Sequence, residues 1–332
     1  MTTYKVINLI KRPLAREVSA ELFEVVDKEI PTTGPGEVLV RQTHMSLDPA
    51  MLGWMSSDKN SYMPPVELGS VMRSSGVGIV VRSNHPEFTS GDRVMGRMGW
   101  QEYFLSDGDS LNKVTATLPD EAVLSILGLP GLTATQGFLN MAKPSTGETL
   151  IITGAAGAVG SMVGQLAKAH GLNVIGVVGS DEKAHWITTE LGFDGAINYK
   201  KENIEKQLAQ LAPKGIDIFY ENTGGPIQKL IIERMNPHGR VIVCGLIADY
   251  GKVAPPVGPS WMNVMKKRLS ILGFTMTDHY SEISSLLAQL IPYVEQGKLK
   301  YRAHVIDGLE SAITGLNLLF TGKNQGKLIV KL

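Results

Sequence analysis

The sequence holds a single cysteine, Cys244, among 332 residues. One thiol excludes an intrachain disulfide and any thiolate cluster that would carry a structural metal. An excess of charge of one sign is also missing: 32 Lys and Arg side chains balance 32 Asp and Glu, so the formal net charge is zero. Nucleic acid and anionic membranes both select basic surfaces, so neither is expected as the main partner. No apolar run is read as approaching the roughly 20 residues that span a bilayer. Residues 1–13 break their short apolar pieces with Lys5, Asn8, Lys11 and Arg12, unlike a signal peptide. A cytosolic protein is expected. Internal repeats and low-complexity tracts are absent, and the length suffices for one large or two ordinary domains with a full core.

What is present is a change of pattern along the chain. The first third carries short β-rich segments at 37–41, 76–81 and 92–96, bounded by Gly, Pro and Ser, which predicts a compact, mostly β lobe. From about Gly147 strands alternate with helices. Strands are expected at 150–153, 173–178, 215–220, 239–244 and 327–331, and helices at 158–169, 181–191 and 283–296. Such alternation implies an α/β fold with a parallel sheet covered on both faces, a Rossmann-type doubly wound domain beside the β lobe. The expected division is 126–299 for the α/β domain and 1–125 with 300–332 for the other.

The strongest motif is Leu150-Ile-Ile-Thr-Gly-Ala-Ala-Gly-Ala-Val-Gly160, set between an expected strand and an expected helix. Aligned on G-x-G-x-x-G it reads Ala155, Gly157 and Gly160, with Gly154 ahead of it to make the tight turn. Gly157 would let backbone approach a pyrophosphate, which then lies on the helix N-terminus beside Ala158 and Val159. Gly160 would allow close packing of helix on strand. An ordinary glycine-rich βα turn is the plainer alternative, and the strand-and-helix context favours a nucleotide.

An NAD site usually has an acidic residue closing the second strand. Here that place reads Val178-Gly179-Ser180, with no carboxylate to repel a 2′-phosphate. Ser180 suits the N-cap of a helix opening Asp181-Glu-Lys-Ala, and Lys183 lies one turn in. Lys183 alone reads as a solvated helix lysine. Beside Ser180, and with the acid missing, it points to NADP, provided Asp181 and Glu182 turn away.

Further segments make the sequence specific: Ser46-Leu-Asp-Pro49, Tyr62-Met-Pro-Pro-Val-Glu-Leu-Gly69, Gly99-Trp-Gln-Glu-Tyr103, Gly128-Leu-Pro-Gly-Leu-Thr-Ala-Thr135, Glu221-Asn-Thr-Gly-Gly225 and Gly322-Lys-Asn-Gln-Gly-Lys327. Together they resemble the medium-chain dehydrogenase/reductase superfamily, over essentially the whole chain. The match is nearest to its zinc-free branch of leukotriene B4 12-hydroxydehydrogenase/prostaglandin reductases, curcumin reductases and plant alkenal double-bond reductases. The resemblance implies a GroES-like catalytic domain, NADPH-dependent reduction of the C=C bond of enals and enones, and a homodimer. It places Lys183 and Tyr199 on the 2′-phosphate, Asn222 near the cofactor, Asn324 near the pyrophosphate, and Tyr250 and Phe274 on nicotinamide-side loops. Thr133, Cys244 and Gly245 join the cofactor-facing set, beside Gly154, Ala155, Gly157, Ala158, Val159, Gly160, Gly179 and Ser180. Tyr62 matches a substrate-facing tyrosine. Where many members read Asp-Pro-Tyr-Met-Arg-Gly, this chain reads Asp48-Pro-Ala-Met-Leu-Gly53. Ala50 and Leu52 remove an aromatic and a charge near the expected cleft mouth, which changes the expected substrate range.

Catalytic zinc would need Cys and His ligands. After the first long strand stand Ser46 and Asp48, with His44 the one imidazole and no cysteine, so no metal is expected. Hydroxyl donors then stabilise the oxyanion, with Tyr62 and Tyr250 as candidates. Trp54, Trp100, Met51, Met55 and Met63 would make either an adaptable apolar wall or simply core. Rival readings are a quinone reductase, an allylic alcohol dehydrogenase, or a protein that holds NADPH without turnover.

Overall fold

In the computed structural model, which describes residues 2–201, 203–252 and 258–332, the chain divides into two units. One is Met1–Leu124 with Ala303–Leu332, and the other is Ser125–Arg302.

The second unit is built on runs of β-branched and aliphatic residues with no polar face. Thr149–Thr153 is buried along its whole length, and Asn173–Val178 and Ile216–Glu221 nearly so. Strands of this kind need cover on both sides, which a parallel sheet with crossover helices gives. Six parallel strands lie in the order Gly195–Asn198, Asn173–Val178, Thr149–Thr153, Ile216–Glu221, Met235–Val243, Ser270–Gly273. In chain order this is 3-2-1-4-5-6, and the direction of winding reverses between Thr149–Thr153 and Ile216–Glu221. Crevices at the carboxyl ends of strands, at such a reversal, are where open α/β sheets bind ligands. The helix Ala158–Ala169 crosses between the first two strands and is buried on every side from Gly160 to Ala167. It stops at His170, with Gly171 in the left-handed conformation that ends helices.

One helical run corrects the sequence reading. Residues Asp120–Ala142 form 23 residues apolar enough to cross a membrane by length and composition, and 83% of the 18-residue apolar window within them is buried inside the protein. Gly128 and Pro130 look like punctuation in the sequence, yet Pro130 occupies the first turn of Leu129–Ala134, where its missing N–H costs nothing. π-helical turns, Val123–Leu127 and Thr135–Ala142, flank that segment.

The first unit holds two sheets. Thr3–Leu9 pairs with Phe23–Glu29 on one side and Ser70–Val71 on the other. The larger sheet runs Ala303–Asp307, Lys327–Lys331, Val38–Leu47, Gly76–Ser83, Arg93–Gly96, Leu111–Lys113, with Tyr103–Ser106 paired to Val38–Leu47. Val38, Val40, Val80, Val94 and Leu111 alternate inward to make one core.

At Asp120 this unit also buries a charge cluster. Its carboxylate accepts from Arg93 Nε at 2.6 Å and Thr43 Oγ1 at 2.7 Å, and pairs with His44 Nδ1 at 2.9 Å. Burial works to raise the Asp120 pKa, but the hydrogen bonds from His44, Thr43 and Arg93, with the Arg93 charge, outweigh it and hold the carboxyl well below its usual range. A depressed carboxyl stabilises the fold above its unfolded pKa of about 3.9 and gives up that stability as pH falls below it. Asp120→Ala leaves a partly buried guanidinium without its carboxylate and is expected to cost about 3 kcal/mol. Urea unfolding at neutral pH should show a lower midpoint with an unchanged slope, and the gap to wild type should narrow toward pH 3.

Candidate functional site

The glycine turn closes Thr149–Thr153 and opens Ala158–Ala169. Gly154 takes the turn at φ 62°, while Ala155 adopts no positive φ, which explains why alanine is accepted where the fingerprint usually has glycine. Ala155 is fully buried, and its N–H donates to Val177 O at 3.2 Å. A Cβ on Gly160 would stand 2.5 Å from Gly154 O and 2.9 Å from Ala155 Cα. Helix and turn therefore touch backbone to backbone. Gly157 is the N-cap and brings no side-chain cap, so the helix start offers its dipole and amides to an anion.

At the ends of Asn173–Val178 and Gly195–Asn198 a second cluster forms. Ser180 caps the helix Asp181–Thr189, its Oγ accepting from Lys183 N at 3.3 Å. The Tyr199 ring lies against Gly179, where a Cβ would meet it at 3.2 Å. Lys200 Nζ sits 6.0 Å from the Tyr199 ring centroid. Lys183 is partly buried. Burial lowers its pKa, the Lys200 charge lowers it further, and Glu182 opposes both. Asp181, the awkward acid, receives Asn198 Nδ2 at 2.6 Å and pairs with Lys201, so its charge is spent on those two partners. Serine hydroxyl, tyrosine ring and two lysines that repel one another make a site that a dianion would stabilise.

Across the strand reversal lies a third group. Asn222 Nδ2 donates to Thr153 O at 2.8 Å, and Cys244 N and Gly245 N donate to Glu221 O at 2.9 and 3.1 Å. The Tyr250 hydroxyl accepts from Leu246 N at 3.4 Å, and a Cβ on Gly245 would stand 3.4 Å from it. Tyr250 thus folds back over the strand-end loop. Thr133 gives its hydroxyl hydrogen to Leu129 O, and its carbonyl accepts from the Tyr220 hydroxyl at 3.1 Å. Burial pushes the Cys244 thiol up to about 12, and Glu221 adds to the rise against the opposing hydrogen bond with Tyr220. A thiol of that kind is no nucleophile. Phe274 packs with Leu132, Met276 and Leu286, its ring tip against Gly137.

Of the sequence-predicted residues, those from Thr133 to Phe274 lie in the second unit, whereas Tyr62 and Asn324 belong to the first. Tyr62 stands exposed in a loop. Asn324 Nδ2 donates to Gly326 O at 2.9 Å. The alternative of an apolar wall gives way to core: Trp54, Trp100, Met51, Met55 and Met63 are all buried. Leu52 is buried as well, so the place expected at a cleft mouth is packed hydrophobic. His44 is committed to Asp120. Lys200 falls on the polar and aromatic edge Asn198-Tyr-Lys200 that the sequence offers beside Ser180; sequence reasoning missed Glu221 and Thr153 as a linked pair, and Lys327. The last is a lysine only 2% exposed, its ammonium 2.5 Å from Asp48 Oδ1 and 2.9 Å from Leu47 O. Only the buried position of Lys327 within an apolar strand hinted at a partner.

The cradle fits a dinucleotide. Its turn has no room for a Cβ at 160, an uncapped helix start adjoins it, and two lysines lie one strand over. Two family models match the chain, "N-terminal domain of oxidoreductase" over residues 5–114 and "Zinc-binding dehydrogenase" over 158–291. Among the described residues no three His, Cys, Asp or Glu side chains are placed to hold a metal. The NADPH-dependent curcumin reductase of Escherichia coli is 40% identical over 97% of this chain and 95% of its own. Prostaglandin reductase 1 of Bos taurus is 37% identical over 93% of each. The crystal structure of CurA from Vibrio vulnificus in complex with NADPH superposes with a TM-score of 0.92 at 38% identity, covering 98% of both chains. Motifs, fold and relatives agree: the chain belongs to the medium-chain dehydrogenase/reductase superfamily, in its zinc-independent branch of enone reductases.

Proposed function

We propose that this protein reduces the C=C bond of α,β-unsaturated aldehydes and ketones, with NADPH as the reductant. The observation that carries the cofactor choice is the cluster of Ser180, Lys183, Tyr199 and Lys200, with Asp181 paired to Lys201 and hydrogen-bonded by Asn198. Its positive charge suits a 2′-phosphate, and the relatives named for NADPH-dependent curcumin reduction and 2-alkenal reduction support the same reading. Bound NADPH supplies a hydride to the β-carbon of the enone.

The chain's own contribution is to bind, orient and manage charge. Gly157 and the amides at the start of Ala158–Ala169 hold the pyrophosphate. Asn222, Gly245 and Tyr250 form the strand-end surface on the nicotinamide side. The Tyr250 hydroxyl, beside Gly245, is positioned to donate to the carbonyl oxygen as negative charge develops there. Tyr62 offers a phenol that delivers a proton, from solvent, to the α-carbon. Hydride plus proton gives the saturated carbonyl compound and balances the reaction. The substrate domain is the first unit and the cofactor domain the second.

The test is NADPH consumption by the purified protein with 2-nonenal, 4-phenyl-3-buten-2-one and 15-keto prostaglandins, run in parallel with NADH. Turnover of at least one enone with marked preference for NADPH is expected. Tight NADPH binding with no turnover of any would reject the reductase reading.

A homodimer is part of the same reading. Ser270–Gly273 lies at the edge of the parallel sheet with its backbone groups available for pairing. Beside it the helix Trp261–Lys267 exposes Trp261 at 73%, Met262 at 54% and Met265 at 64%. Large apolar side chains grouped this way mark an interface, and a second copy satisfies both features by two-fold pairing. Light scattering should give twice the chain mass for wild type, and the chain mass alone for Trp261→Asp/Met265→Asp.

A further inference from the structure

We propose that Glu221 is a positioning residue for the nicotinamide half of the cofactor site. Its side chain locks the two strand ends at the sheet's reversal point before the cofactor arrives. The inference rests on the NADPH reading above. With the adenosine end assigned to Ser180 and Lys183 on one side of the glycine turn, the other half of the dinucleotide extends over the opposite side of the reversal, toward Glu221.

Glu221 is 0% exposed. A buried carboxyl is costly unless hydrogen bonds replace water. Here they converge on one oxygen. Oε1 accepts from Thr153 Oγ1 at 2.5 Å, Thr223 N at 2.7 Å and Gly224 N at 3.0 Å. Oε2 is equally buried and has no hydrogen-bond partner among the described residues. Simple packing would be served better by an apolar side chain than by a half-satisfied carboxyl.

The partners tell what the side chain does. Thr153 ends one strand at the reversal and Glu221 ends the other, and the register Tyr220↔Ile152 sets them side by side. The Thr153 hydroxyl donates to Glu221 and accepts from Asn222 N at 2.9 Å. The backbone carbonyl of Glu221 then gathers Cys244 N and Gly245 N from the next strand's exit. One residue so ties together the exits of three neighbouring strands. The turn it holds continues through Gly224 and Gly225, at φ 72° and 74°, a left-handed conformation that glycine adopts without strain.

Glu221→Leu, Glu221→Gln and Thr153→Val test this by equilibrium binding to the purified protein. Three ligands are used: NADPH, NADH and adenosine 2′,5′-bisphosphate. Leu removes the acceptor shared by four donors, Thr153 Oγ1, Thr223 N, Thr223 Oγ1 and Gly224 N, and both dinucleotides should bind about tenfold or more weaker, to the same extent. Gln keeps Oε1 as an acceptor and should bring the loss to within about threefold, while Thr153→Val should lose several-fold. The bisphosphate carries only the adenosine end and should bind all three variants like wild type, which also reports that they are folded. Should Glu221→Leu fail to fold, Thr153→Val decides by the same comparison. Wild-type affinity for NADPH in Glu221→Leu, or an equal loss of the bisphosphate in a folded variant, would overturn the assignment. Failure of the NADPH reading itself looks different: the wild-type protein would not bind NADPH in preference to NADH.

Discussion

Replacing Lys183 with alanine is expected to raise the KM for NADPH about 30-fold or more and to leave that for NADH within about twofold. A charge-assisted contact to a phosphate contributes about 1.5–3 kcal/mol, and tenfold in affinity corresponds to about 1.4 kcal/mol. Lys183 lies toward the upper part of that range because it is partly buried, so solvent screens its charge less than at an open surface. Its ammonium is also penalised in the free protein by burial and by Lys200, as its lowered pKa records. A 2′-phosphate dianion removes that penalty, whereas the hydroxyl of NADH does not. The sign of the pH dependence follows. A lysine with a lowered pKa sheds its proton at lower pH than an ordinary one near 10.4, so the preference for NADPH should decay on the alkaline side before ordinary lysines titrate. Steady-state KM values for both cofactors across pH check this. Equal effects on NADPH and NADH would remove Lys183 from the 2′-phosphate.

The largest loss is expected for Gly160→Val. Any Cβ at this position meets Gly154 O at 2.5 Å and Ala155 Cα at 2.9 Å, both backbone atoms of the turn. Neither can rotate aside as a side chain does. The start of Ala158–Ala169 must therefore move off the turn, carrying its amides with it. Binding of NADPH should weaken more than about a hundredfold, and overpacking should cost a further 1–3 kcal/mol or so of stability. Gly53→Ala makes the control, since Gly53 lies in the first unit and its Cβ would meet nothing within 4 Å. Calorimetric binding with parallel thermal unfolding separates the two effects. A small, equal loss in both variants would mean that the turn flexes.

Much of this was legible in the sequence for physical reasons that differ from element to element. Ala158–Ala169, Asn173–Val178 and Lys327–Lys331 fall where apolar runs and their stops put them. Ser180 declares itself as an N-cap because its type and the acidic first turn after it say so together. The strands of the first unit were harder. Phe23–Glu29 is mostly exposed and rich in charge, so its signal lies in pairing with Thr3–Leu9 rather than in its own pattern. Side-chain direction was harder still. Asp181 looked like an obstacle to NADP until its pairs with Asn198 and Lys201 were visible. Glu221 and Thr153 are separated along the chain by most of the sheet's first half and met only once the strands were ordered. The buried Trp54, Trp100 and Leu52 show the converse: composition gives an apolar residue no address.

The most direct test follows the hydrogen itself. NADPH carrying deuterium at both C4 positions, turned over with 4-phenyl-3-buten-2-one, should give the saturated ketone with one deuterium on the β-carbon and a solvent proton on the α-carbon. Deuterium on the carbonyl carbon of an unsaturated alcohol, or no labelled product despite NADPH binding, would contradict the assignment of C=C reduction.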